Sequence, residues 1–254
     1  MSLEHKIYLN KLKKEKRIVL FFQILIIIIL LITWELLAKL NIINTFLYSS
    51  PSNIIKTIIS NNYLKHILRT VYEILLSTSL SFIIGFIISS ILWSNKIISK
   101  ILDPYLTILN SLPKVALGPL IIIWIGANIN SIIFMSLTIS IFITIINLYN
   151  YFINTNDDYI ILLKSLNANK LDIYKKLIIP SNKRNIISTL KINVSMNLIG
   201  VIMGELLVSK EGLGYLIMYG SNVFNINLVL TSIFIISIIS GILYYLLNYI
   251  EKKC

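Results

Sequence analysis

IVLFFQILIIIILLITWELLA, residues 18–38, contains one charged side chain, Glu35, and TSIFIISIISGILYYLLNYI, residues 231–250, contains none. Each matches the roughly 20 apolar residues needed to cross the hydrocarbon core of a bilayer. Apolar residues fill these runs as blocks and not as one-sided stripes, so neither is the amphipathic helix of a soluble domain. The whole chain agrees: 56% of its 254 residues are hydrophobic, 13% are charged and mean hydropathy is +0.82. A soluble domain carries about 25% charged residues, and too little polar sequence remains here to cover a large soluble core.

Six apolar blocks succeed one another, at roughly 18–38, 71–93, 104–126, 129–149, 190–208 and 228–249. They predict an all-α fold, a polytopic bundle of about six transmembrane helices over 18–254 preceded by a basic cytosolic segment, 1–17. The basic start followed by an apolar run imitates a signal peptide, but the run continues through Trp34–Leu37 without a small-x-small cleavage site, so it reads as an uncleaved first span.

The third block is the weakest, because Asn110, Ser111, Pro113 and Lys114 interrupt it. Charge placement argues for keeping it. With the N-terminus inside, Lys6, Lys11, Lys13, Lys14, Lys16 and Arg17 precede span one, and Lys96 and Lys100 follow span two. Lys164, Lys170, Lys175, Lys176, Lys183, Arg184 and Lys191 lie between spans four and five, and Lys252 and Lys253 end the chain. Outside fall Lys39, Lys56, Lys65, Arg69 and Lys210. This asymmetry satisfies the positive-inside rule for an even number of spans, with both termini in the cytoplasm of a multi-pass cell-membrane protein.

The net charge of +12 therefore reflects topology. The basic residues flank apolar spans and form no stripe interleaved with stacking aromatics, which excludes nucleic acid as a partner and leaves the lipid bilayer. Cys254 is the single cysteine, which excludes an internal disulfide or a cysteine cluster. His5 and His66 are far apart and predict no metal site, and nothing implies a cofactor. The spans offer no His, no Cys and no Asp pair for catalysis, so the chain is not expected to be an enzyme.

Several spans carry small or polar residues at helical spacing. In the fifth, Asn193, Asn197, Gly200 and Gly204 fall on one face with Glu205 beside it, and Gly200–Gly204 is a small-x-x-x-small pair. Asn side chains are costly against lipid, so this face points to the bundle or to water, and it is a candidate lining of a pathway or a dimer contact. Ser77, Ser81, Gly85 and Ser89 of the second span, and Ser136, Ser140, Thr144 and Asn147 of the fourth, read as interhelical packing. Lys114 and Glu205 are the ionisable residues deepest in apolar sequence and are further pathway candidates.

The long segment between spans four and five, about 150–189, predicts a helix over Tyr159–Leu166 and another over Leu171–Ile179. Ile160, Ile161, Leu162, Leu163 and Leu166 are too apolar for a loop that touches only water, so a protein partner or the membrane domain must cover them.

These residues resemble a known family. Lys164-Ser165-Leu166-Asn167-Ala168-Asn169-Lys170, with Pro180 thirteen residues after Asn167, is similar to the EAA loop of ABC importer permeases, which reads Glu-Ala-Ala, three residues, Gly, nine residues, Ile-x-Leu-Pro. Leu177 and Ile179-Pro180 fill its end in register. Leu112-Pro113-Lys114-Val115-Ala116-Leu117-Gly118-Pro119-Leu120 through Trp124-Ile125-Gly126 resembles a Pro-x-x-Ala-x-x-Pro-Leu…Trp-Phe-Gly segment. That segment belongs to the branch of nitrate, sulfonate, taurine, thiamine-precursor and riboflavin permeases. Glu205 through Gly212-Leu213-Gly214-Tyr215-Leu216-Ile217 matches the same branch, as do Trp34-Glu35 and Ser50-Pro51-Ser52-Asn53-Ile54-Ile55.

The resemblance implies the transmembrane domain of a type I (MetI-like) ABC importer. Two copies of the chain would form a homodimer carrying a small solute, anionic or vitamin-precursor-like. Two copies of an ABC ATPase subunit would sit below, and an extracytoplasmic substrate-binding protein above. Docking to the ATPase would fall to Ile161, Leu162, Lys164, Ser165, Leu166, Asn167, Ala168, Asn169 and Pro180. The chain has no Gly-x-x-x-x-Gly-Lys-Ser/Thr loop, so ATP hydrolysis is expected in the partner. The chain departs from the pattern at three places. The Glu-Ala-Ala sites are Ile161, Leu162 and Leu163, which removes an acidic charge from the docking surface. The glycine is Asn167, the non-glycine residue that best tolerates a left-handed backbone. Lys114 stands where many relatives are apolar or proline, so its role has no warrant from the family. The rivals are a stand-alone secondary transporter, disfavoured because no internal repeat is visible, and a membrane assembly factor or embedded enzyme.

Overall fold

The computed structural model describes residues 3–253, and Cys254 lies outside them. In chain order the elements are α1 (Leu3–Lys39), α2 (Thr45–Tyr48), α3 (Pro51–Ser60), α4 (Leu64–Ser94) and α5 (Lys96–Ser111), then a 3₁₀ turn (Lys114–Leu117) leading into α6 (Gly118–Ile125). Next come α7 (Ile129–Ile153), α8 (Asp157–Ser165), α9 (Lys170–Ile173), a π-helical turn (Tyr174–Ile178) and α10 (Ile179–Ser181). The chain closes with α11 (Lys183–Val208), α12 (Leu213–Asn222) and α13 (Ile226–Lys253). Among the described residues, five helices (α1 over Arg17–Lys39, α4, α7, α11 and α13) are long and apolar enough to cross a membrane, and α5 with α6 makes a sixth if that bent pair is one span.

Asparagine punctuates this architecture. Asn95 accepts from the amides of Ile97 and Ile98 to start α5, and Asn128 with Ser131 forms a capping box at α7. Asn156 and Asn169 open α8 and α9 in the same way. Each satisfies amides that the first helical turn leaves unpaired, which matters most where no water reaches.

The third apolar block is not one straight span. Its helix starts at Lys96, ends at Ser111 and turns by 81° into the stretch Lys114–Ile125. Leu112, held extended by the proline that follows it (φ −62°, ψ 142°), cannot continue the helix, and Pro113 has no amide to donate.

Helix α7 is the centre of the bundle, flanked by α4 and α11, while α12 and α13 pack on α11 and on each other. Helix α1 stands apart, joined to α3 through Glu35, which accepts from the Ser52 amide at 3.0 Å. Its Ile26, Ile27 and Leu30 stay exposed on the single chain, as on a helix solvated by lipid. The ends of α4 and α7 that lead to α5 and α8, together with the start of α11, define one end of the bundle, here called the basic end.

Candidate functional site

At the basic end, α8 begins at Asn156, which accepts from the Asp158 amide at 2.8 Å. Asp157 and Asp158 occupy its first turn and Lys164 its last, the arrangement that complements the helix dipole. The helix closes in a Schellman turn. Ala168 N–H reaches Leu163 O at 3.0 Å, Asn167 N–H reaches Lys164 O at 3.0 Å, and Asn167 sits at φ +57°. The left-handed backbone expected at Asn167 is present. Asn169 then caps α9, and the helix widens into its π turn just before Pro180, with Ile179 N–H reaching back to Tyr174 O. Both helices expected in this segment form.

Asn167→Gly is expected to leave this turn intact. Asn167→Val, which forces a β-branched side chain into the left-handed region, is expected to cost about 1–2 kcal/mol. Hydrogen exchange at the amides of residues 166–168 would then speed up by roughly 5- to 30-fold, with the spans unaffected.

One face of the segment is covered by the chain itself. Ile173 and Ile178 are buried with Leu148 and Phe152 of α7, and Phe82, Phe86, Trp93, Ile160, Leu163, Ala168 and Leu177 pack around them. The Phe152 ring meets Phe86 and Tyr174 edge-on, at 6.0 and 5.9 Å. Tyr174 hydroxyl bonds to Ser90, and the Lys170 ammonium donates to Ser94 O, so the segment is keyed to the end of α4 as well as α7. Alongside, Asp172 accepts from Lys176 (3.2 Å), which holds its carboxyl below the usual range. The other face is bare. Ile161, Leu162 and Leu166 are exposed, Leu166 to 70%, and Lys164, Ser165, Asn167, Asn169 and Pro180 are exposed as well. The apolar cluster expected to need a cover is thus half satisfied within the chain, and three of its five residues remain open.

The fifth-span residues gather elsewhere. Asn193, Asn197, Gly200, Gly204 and Glu205 are all buried along α11 against α4 and α7. Asn193 accepts from Ser81 hydroxyl (3.0 Å) and donates to Thr144 (2.7 Å). Asn197 accepts from Ser136 (2.7 Å) and Ser140 (3.1 Å) and donates to Ser81 (3.0 Å). A Cβ at Gly200 would overlap the Ser136 Cα, and one at Gly204 would lie 3.0 Å from the Ile132 Cα, so the two helices touch backbone to backbone. This is a closed hydrogen-bonded seam joining three helices of one chain, with its polar groups satisfied internally. Ser81 of the second span and Ser136, Ser140 and Thr144 of the fourth are its other half, whereas Ser77 and Ser89 bond to carbonyls of their own helix.

Lys114 does not join them. It is half-buried in the 3₁₀ turn after the bend, donating to Asn110 O at 2.5 Å, with its ammonium 6.0 Å from the Phe142 ring. Glu205 closes the seam at the opposite end, where it accepts from Thr70 hydroxyl and from Gly214 N–H, each at 2.6 Å. Sequence reasoning missed its neighbour Glu73, which is fully buried on α4. The available signal was Arg69, one helical turn earlier, whose Nε lies 2.6 Å from Glu73 Oε1.

Comparison with known proteins places this geometry. Residues 81–254 match the family described as binding-protein-dependent transport system inner membrane component. The chain is 30% identical to a probable ABC transporter permease protein of Haemophilus influenzae over 93% of its own length and 98% of the relative's. It is 28% identical to the formylaminopyrimidine transport permease protein ThiX of Halalkalibacterium halodurans, over 75% of this chain and 77% of that one. Its fold resembles a chain of the MetNI methionine ABC transporter in an inward-facing conformation, with a TM-score of 0.65 and 15% identity over 74% of this chain and 95% of that chain.

Proposed function

Since this chain belongs to the family of binding-protein-dependent transport system inner membrane components, a multi-pass ABC importer permease subunit for small solutes, we propose how it is driven and what it carries. The segment 150–189 faces the cytoplasm and docks on an ABC ATPase through Ile161, Leu162 and Leu166, with Lys164, Ser165, Asn167, Ala168, Asn169 and Pro180 framing the contact. One observation carries this reading: a short helix locked on one face into the ends of α4 and α7 leaves three large apolar side chains bare on the other. Force applied there is transmitted directly to two central spans. Two copies of the chain enclose the pathway, two ATPase subunits supply the energy, and a binding protein delivers the solute at the opposite end. ATP-driven closure then selects between inward- and outward-facing states. Both termini lie in the cytoplasm by the charge asymmetry noted above.

Asn193, Asn197, Gly200 and Gly204 belong in this scheme to the rigid scaffold, because their polar groups are consumed within one chain. Lys114 remains the pathway candidate. Its ammonium, after a bend of 81°, is bonded among the described residues to neutral acceptors, the Asn110 backbone and side-chain oxygens, and it suits an anionic solute or an anionic group of a vitamin precursor.

Co-expression of the tagged chain with ABC ATPase subunits from the same genome, followed by purification in mild detergent and reconstitution, tests the assignment. A stoichiometric ATPase and uptake that requires ATP are the expected results. A well-folded chain that purifies alone and carries solute without ATPase would instead establish a secondary transporter.

A further inference from the structure

Two glutamates from different spans meet at the end of the bundle away from the docking surface. Glu73 of α4 is 0% exposed and Glu205 of α11 is 1% exposed, and their carboxyl groups lie within hydrogen-bonding reach of each other. Their donors are unevenly shared. Glu205 Oε1 accepts from Thr70 hydroxyl and Oε2 from Gly214 N–H, while Thr70 Oγ1 in turn accepts from Leu213 N–H at 2.8 Å. Glu73 Oε1 accepts from Arg69, but Glu73 Oε2 is buried with no donor at all. A bare carboxylate oxygen facing a second carboxylate is unfavourable twice over, through lost solvation and like-charge repulsion. An O–H on Glu73 Oε2, donated to Glu205, removes both problems.

Charge balance calls for one proton as well. Lys65 is engaged by Glu211 at 2.7 Å, and His66 Nδ1 accepts from Gly212 N–H at 3.1 Å, which leaves its ring neutral. Tyr215 stacks on that ring from α12, and α7 carries no charged residue. Among the described residues Arg69 is the cation paired with these two buried carboxyls, while Lys210 of the neighbouring elbow is exposed, and a single proton makes the three groups neutral together.

We propose that Glu73 and Glu205 hold one proton between them, carried on Glu73, and that this proton clamps the α11–α12 elbow, residues 209–214, onto α4. With Glu73 as the acid, Glu205 is a full carboxylate able to accept from Thr70 and Gly214 together. The elbow is shaped around that carboxylate. Gly212 is at φ +106°, and a Cβ there or at Gly214 would collide with the Glu205 side chain. The clamp is a property of the chain itself and does not depend on how transport is energised.

Two measurements on the full chain in detergent test it. Infrared spectroscopy of the wild-type protein at neutral pH should show a protonated-carboxyl C=O band that disappears in Glu73→Gln and in Glu205→Gln. Hydrogen exchange at Leu213 and Gly214 should stay within about twofold of wild type in Glu73→Gln, whose amide N–H replaces the acid O–H. In Glu205→Gln the same amides should exchange at least tenfold faster, because the carboxamide turns an N–H toward one of its two donors. No wild-type band, a band that survives Glu73→Gln, or equal loosening by the two variants would overturn the proposal. If Glu205→Gln does not fold, the wild-type band and its fate in Glu73→Gln decide alone.

Discussion

Gly200→Leu is expected to yield no folded, monodisperse protein, and Gly200→Ala to lower the thermal midpoint markedly, while Gly241→Ala leaves it almost unchanged. The difference lies in what the added atoms meet. At Gly241 nothing lies within 4 Å of a new Cβ, whereas at Gly200 it runs into the α7 backbone at Ser136, with the Ser136 Cβ at 3.0 Å and Oγ at 3.1 Å. A side chain can turn aside, but a helix backbone has to move as a body. Overpacking costs about 1–3 kcal/mol where the surroundings can give, and here relief requires α11 to part from α7. That separation stretches the bonds from Ser136 and Ser140 to Asn197, each worth about 0.6 kcal/mol in a membrane bundle. For alanine the total is on the order of 2–4 kcal/mol, a large part of the 5–15 kcal/mol that holds an ordinary domain together. For leucine it exceeds what the seam can absorb. An Ala variant with an unchanged midpoint would mean that the two helices are not in backbone contact.

That seam shows which part of the structure the sequence makes legible. Lipid forces apolar blocks and internal pairing of every backbone group, so the spans can be read from hydropathy, and the face bearing Asn193, Asn197, Gly200 and Gly204 from helical spacing. The residues opposite that face are not readable in this way. Ser81 and Asn197 are 116 positions apart, and only folding shows that each satisfies the other. Helix ends escape hydropathy as well, since Leu64–Thr70 and Lys183–Thr189 are helical yet polar. Pro113 announces a break but not its 81° angle, which depends on what α6 packs against. At the docking segment the turn is legible, because one residue, Asn167, carries the backbone requirement. Which of five apolar side chains stays open is not, because Phe152 of α7 and Tyr174, at a position the motif leaves unspecified, decide it. Arg69 marks an ion pair at Glu73 but not its burial, because the second carboxyl that meets Glu73 lies on another span.

Leu162→Glu combined with Leu166→Glu is expected to abolish ATPase association while leaving the membrane bundle folded. Both side chains are already exposed, Leu162 to 56% and Leu166 to 70%, and neither belongs to the cluster around Phe152, so the chain alone loses little when they become charged. In the proposed complex the accounting differs. Burying a leucine side chain contributes about 1.5–3 kcal/mol, so losing two removes roughly 3–6 kcal/mol before the cost of desolvating two carboxylates is counted. That corresponds to a fall in affinity of at least about 100-fold, enough to change a stoichiometric complex into none on a size-exclusion column. Leu163→Glu provides the contrast: Leu163 packs on the α7 cluster, so its substitution should lower the thermal midpoint of the permease itself. If the double variant retained its ATPase and its ATP-dependent uptake, the bare face of α8 would not be the docking surface, and the connection between ATP and α4 and α7 would have to run through another part of the chain.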